Sequence, residues 1–147
     1  MSERSVFTMR VQRRTLHALE EEARRYGVPP RTLAERIIEE GIKMRRHPGV
    51  VFIERGGGRD PVLAGRPRLS IWQIVQTVRA NKTRAAASKW LSLDEASIDR
   101  AMAYAKEYPK EIEQAIREND EAFERFKRLH PSSEELMAER KRAARSR

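Results

Sequence analysis

Few side chains in this sequence are spaced for covalent chemistry. His17, His47 and His130 lie far apart, and none stands in a metal-ligating spacing such as HExxH, so they read as surface or loop histidines. Asp60, Asp94, Asp99 and Asp120 could be imagined as a nuclease metal cluster, but Asp94 and Asp99 fall at a helix start, where carboxylates cap and complement the helix dipole. The stretch RGGGRDP (55–61) lacks the Gly-Lys-Ser/Thr ending of a phosphate-binding loop and reads as a flexible turn. With no cysteine there is no thiolate nucleophile, thiolate zinc site or disulfide, which fits a reducing cytoplasm. The expectation is a protein that is not an enzyme and needs no metal or cofactor.

What remains is recognition of polyanions. A net charge of +9 and a pI near 10.4 favour nucleic acid first and an anionic membrane surface second. From Pro61 through Leu93 there is no acidic residue, while Arg66, Arg68, Arg79, Lys82, Arg84 and Lys89 all occur. Two readings stay open: a surface for phosphates or an acidic protein, or a solvated face balanced by acids elsewhere in the fold. Trp72 and Trp90 could stack on bases, although their spacing reads more simply as core aromatics. Neither a signal peptide nor an apolar run near the ~20 residues of a membrane span is visible. The expected location is the cytoplasm, in association with the nucleoid.

The elements that would carry such recognition begin with SVFTMRVQ (5–12). Alternation puts Phe7, Met9 and Val11 on one face of a strand and Val6, Thr8 and Arg10 on the other. A helix from about Thr15 to Tyr26 carries Leu16, Leu19, Ala23 and Tyr26 on one side, and Gly27 stops it. After Pro29 and Pro30, Thr32 can cap a second helix that ends near Arg46. One strand with an apolar face and two short helices cannot close a core, so the pattern predicts two chains pairing their strands antiparallel as a homodimer.

Beyond Pro48, VVFIE, the glycine turn and PVLAGRPRLS suggest a hairpin or extended arm. Helical spacing resumes at Ile71, Ile74, Val75 and Val78 and again over Arg84 to Trp90. Ser92 to Glu95 then reads as a capping box for a third helix, and Pro109 separates it from a fourth. A last segment places Phe123, Phe126 and Leu129 on a helical face, breaks at Pro131, and ends in ERKRAARSR, expected to be disordered or helical only on binding. The expected domains are 1–47, 48–120 and 121–147, and the expected fold class is mainly α.

The stretch FTMRVQRRTLHALEEEARRYGVPPRTLAERIIEEGIK resembles the ribbon-helix-helix DNA-binding fold of Arc and MetJ type repressors. The resemblance implies a two-stranded ribbon in the major groove of double-stranded DNA, with Val6, Thr8 and Arg10 facing the bases and Phe7, Met9 and Val11 in the dimer core. It also implies that Arg31 and Thr32, at the start of the second helix, anchor a DNA phosphate through free backbone amides. Val6 departs from the polar residue often found at its position.

Residues 50–119 look like the domain of unknown function numbered 433, a bacterial and archaeal module associated with antitoxins. The match rests on AGRPRLSIWQIV, similar to that family's Gly-Thr-Arg-Ile-x-Val signature, and on LSLDEASIDRAMAYAKEYPKEI. Gly65 is kept, whereas Arg66 and Pro67 alter the next positions. This resemblance implies a helix-turn-helix-like fold and a PIN-like nuclease toxin as partner. The combined expectation is a dimeric, sequence-specific regulator, an antitoxin that represses its own promoter. The alternative is a transcription or nucleoid factor without a toxin, both modules contacting DNA.

Overall fold

The computed structural model describes residues 3–130, 136–138 and 141–142. It is mainly helical, with one small antiparallel sheet, and divides into two compact units, Met1–Arg46 and His47–Arg147.

In the first unit, α1 (Arg13–Tyr26) starts two residues earlier than its sequence pattern suggests. It ends at Gly27, whose φ of 65° is the left-handed conformation that glycine adopts without a Cβ penalty. There the amides of Gly27 and Val28 donate back to the carbonyls of Arg24 and Ala23. Next, α2 (Pro30–Arg46) opens on Pro30, where a missing amide hydrogen costs no helical bond. Thr32 therefore lies inside the first turn of α2 and does not cap it. Residues 3–12 have no regular secondary structure in the single chain. A strand's hydrogen bonds run to a neighbour, and this unit contains no other strand among the described residues.

The second unit opens with β1 (Val50–Arg55), β2 (Gly58–Leu63) and β3 (Arg66–Ser70), paired antiparallel in that order. Arg55 pairs with Gly58, leaving a two-residue turn. Both its residues have positive φ, 60° at Gly56 and 80° at Gly57, as in the type I′ turn that matches strand twist. The glycine stretch is thus a tight, defined hairpin turn where the sequence suggested a flexible one. The arm is also larger than expected, because RPRLS adds a third strand. Pro61, in the middle strand, faces Phe52 of β1 and lies beyond the β2–β3 pairs, so its missing amide hydrogen breaks no bond to β3.

Four helices follow: α3 (Ile71–Asn81), α4 (Arg84–Leu91), α5 (Glu95–Glu107) and α6 (Pro109–Leu129). Gln73 accepts from the Ser70 amide at 2.8 Å to fasten the start of α3, and the Thr83 hydroxyl caps α4 by accepting from the Ala86 amide at 3.1 Å. The expected capping box at Ser92 is corrected. Ser92 is the left-handed end of α4 (φ 51°), and Asp94 is the cap of α5, accepting from the Ser97 amide at 3.1 Å. The core gathers Val50 and Leu63 from the sheet, Ile71, Ile74 and Val75 from α3, Ile98, Ala101 and Tyr104 from α5, and Ile112 and Ile116 from α6. The expected boundary at 120 falls inside α6, which runs unbroken to Leu129. The expectation for the basic tail lies mostly outside the described residues.

Candidate nucleic-acid interface

Arg10 and Thr8, the base-reading candidates, and Val6 beside them all stand in solvent. So do the residues assigned to a dimer core: Phe7 is 79% exposed and Met9 56%, and Val11 is exposed too. On the helices Leu16, Ile37, Ile38 and Ile42 are likewise exposed, and Ala23 is the one buried residue of this unit among those described. The side chains of Arg4, Arg10, Arg13 and Arg14 make no ion pair or hydrogen bond among the described residues, so their charge is available to a polyanion. At the start of α2, Arg31 reaches Glu35 of its own helix at 3.4 Å and remains solvent-exposed, while Thr32 is half-buried.

In the second unit the six cations divide. Arg66 donates to the carbonyl oxygens of Ser92 and Leu91 at 3.0 and 3.1 Å, tying β3 to the end of α4. Arg79 pairs with Glu113. That hydrogen bond raises the arginine's pKa and lowers that of the glutamate. Arg84 donates to Asp99 at 2.7 Å and lies 3.2 Å from Glu95, and the Asp99 bond raises its pKa. Arg68, Lys82 and Lys89 are exposed and make no such contact among the described residues. Of these six cations, two are therefore balanced by acids from α5 and α6, one is held by backbone carbonyls, and three are left to solvent.

The two tryptophans also divide. Trp72 is half-buried against the core, as its spacing suggests. Trp90 is 77% exposed, contrary to the core reading. It borders an open groove with Gln76, Thr77, Arg79, Ala80 and Asn81 of α3 and Ile116 of α6.

Helices α4 and α5, joined through 92–94, have the order of a helix-turn-helix. The start of α5 carries Asp94, Glu95 and Asp99, a poor surface to lay against phosphates.

His47 was not legible as a packed residue. Its Nε2 lies 2.6 Å from Glu107, and its ring meets Tyr104 and Tyr108 edge-on at centroid distances of 5.2 and 5.7 Å. The fully buried Tyr104 donates its hydroxyl to Glu111 at 2.7 Å. A second polar knot ties the three strands: Arg55 donates to Ser70 Oγ at 2.6 Å and to the Pro67 carbonyl at 2.7 Å, and Ser70 donates to Asp60. These groups are committed to one another, and no cluster of three or more metal-ligating side chains occurs among the described residues. No described helix is long and apolar enough to cross a membrane.

No family model, curated protein or solved structure matches the chain.

Proposed function

We propose that the chain is a homodimeric, sequence-specific DNA-binding regulator whose first unit is completed by a second copy. The observation that carries this is the state of residues 3–46: two helices joined by a left-handed glycine, one buried residue, and an alternating apolar segment in solvent. So small a unit cannot hold itself together with so little buried surface. A second copy remedies both faults, giving the 5–12 segments each other as strands and covering Ile37, Ile38 and Ile42. The opposite face of the ribbon then presents Val6, Thr8 and Arg10 to the major groove, with the unpaired Arg4, Arg13 and Arg14 near the phosphates.

The likeness of residues 50–119 to antitoxin-associated modules supplies the rest of the reading, in which the protein represses its own promoter and neutralises a PIN-like nuclease toxin. The groove beside Trp90 supports it as a place for a protein partner, since an exposed aromatic in a concave site is a common anchor. The acidic start of α5 weighs against the reading in which both units contact DNA.

The test is fluorescence anisotropy of the full chain on DNA from upstream of its own gene and on scrambled DNA, at several salt concentrations. The reading expects the upstream fragment to bind at least ~10³ times more tightly, with affinity falling as salt rises. Equal binding to both removes sequence specificity, and no binding to either removes the DNA reading.

A further inference from the structure

The distal half of α6 leaves the core behind. Ile112 and Ile116 are buried, but the same helical face continues through Asn119, Phe123, Phe126 and His130 in steps of four and three, with Ala122 and Leu129 alongside. Phe123 is 44% exposed, Phe126 48% and Leu129 71%, and no described residue of α6 beyond Ile116 is buried. An apolar stripe two turns long on one helix face marks an interaction surface more than a scatter of surface residues does.

The charge order along the helix selects the occupant. Residues 118–124 hold Glu118, Asp120, Glu121 and Glu124 and no cation, while residues 125–130 hold Arg125, Lys127 and Arg128 and no carboxylate. A helical segment whose charge changes sign at its midpoint, as 118–130 does, repels a parallel copy of itself and attracts an antiparallel one.

We propose that the distal half of α6 packs antiparallel against the same segment of a second copy of this chain, about a two-fold axis between Phe123 and Phe126. Each Phe123 then meets Phe126 of the second copy, and Asn119 stands opposite His130, a polar layer that fixes the register. Asp120 approaches Lys127 on one flank, and Ala122 approaches Leu129 on the other. Each contact occurs twice, as an isologous interface requires. Lys127 already reaches Glu124 of its own helix at 2.7 Å and lies over the Phe123 ring at 5.0 Å, so it is held beside the stripe where a second carboxylate can join it. The pairing uses α6 alone and does not rest on the DNA reading.

The native chain has no cysteine, so introduced thiols report without background. Full-length Ala122→Cys and Leu129→Cys proteins are mixed and oxidised, with Glu121→Cys, on the outer face, as a collision control. The mixed 122–129 disulfide should form several-fold faster than either same-residue disulfide or the control. Asp120→Lys should reduce that yield, and the double change Asp120→Lys with Lys127→Asp should restore it. A preference for same-residue disulfides would mean parallel pairing and overturn the proposal. A mixed yield no higher than the control would overturn it too, leaving the stripe to the chain's own tail or another protein. Because the assay contains no DNA, its failure is separate from any failure of the DNA-binding reading.

Discussion

The guanidinium of Arg66 donates to the carbonyl oxygen of Ser92 at 3.0 Å, with a second bond to Leu91 at 3.1 Å. A cation that looks available for phosphate is thus fastening the end of α4 to β3. Arg66→Ala should cost about 1 kcal/mol of stability in urea unfolding, the usual net worth of such bonds, and leave the salt dependence of DNA binding unchanged. Lys82→Ala and Lys89→Ala should do the reverse if the second unit touches phosphate, with no effect on stability and a shallower salt slope.

Acid should loosen the second unit through two carboxylates. Hydrogen bonds from Ser97 hold Asp94 below its ordinary value of 3.8, and the bond from Arg79 holds Glu113 below 4.5. A depressed folded pKa means stability that is present above the unfolded value and lost as pH falls through the folded one. Melting temperature should therefore decline below about pH 4.5, the unfolded value of Glu113. Asp94→Asn keeps a competent cap without the titration and should flatten part of that decline. An unchanged profile would remove Asp94 from it.

The two-residue turn makes a sharp demand on side-chain type. Gly56→Asn should be nearly neutral, because Asn tolerates the left-handed conformation that position 56 adopts at φ 60°. Gly56→Val should lower the melting temperature clearly, since a β-branched residue is strained there. Equal tolerance of both would show that the turn relaxes in solution.

Removing one oxygen separates packing from hydrogen bonding at the aromatic cluster. Tyr104→Phe loses the bond to Glu111 and should cost about 0.5–1.5 kcal/mol, whereas Tyr104→Ala, at a fully buried site, should cost about 3–5 kcal/mol. Denaturant midpoints of the two variants measure both.

Arg10 and Met9 test the two faces of the proposed ribbon. Arg10→Ala should relax sequence preference by about 1–3 kcal/mol, and an unchanged preference would exclude it from base reading. Met9→Lys would bury an unpaired charge and should abolish specific DNA binding.

Much of this fold was legible because its punctuation is local. Gly27, Pro30 and Pro109 act on their own neighbours, and the spacing of Ile71, Ile74 and Val75 depends on nothing distant. What the sequence left open or hid has a different origin. Whether Arg66, Arg79 and Arg84 are free or paired is decided by acceptors 25, 34 and 15 residues away in sequence, and His47 meets its carboxylate 60 residues on. Trp90 shows the same limit, since helical spacing defines a face without saying whether anything covers it. Arg10 and Phe7 are legible as opposite faces of a strand, but their own unit offers no strand for them to pair with among the described residues.

The central claim is that residues 6–11 are a strand completed by a second copy, and amide hydrogen exchange of the full chain reads this directly. The single chain gives these amides no secondary-structure partner, so any protection must come from association. The account predicts protection of the amides from Val6 to Val11 well above free-chain rates, lost in Met9→Lys. Free-chain exchange across the whole segment, at concentrations where the protein binds DNA, would contradict it.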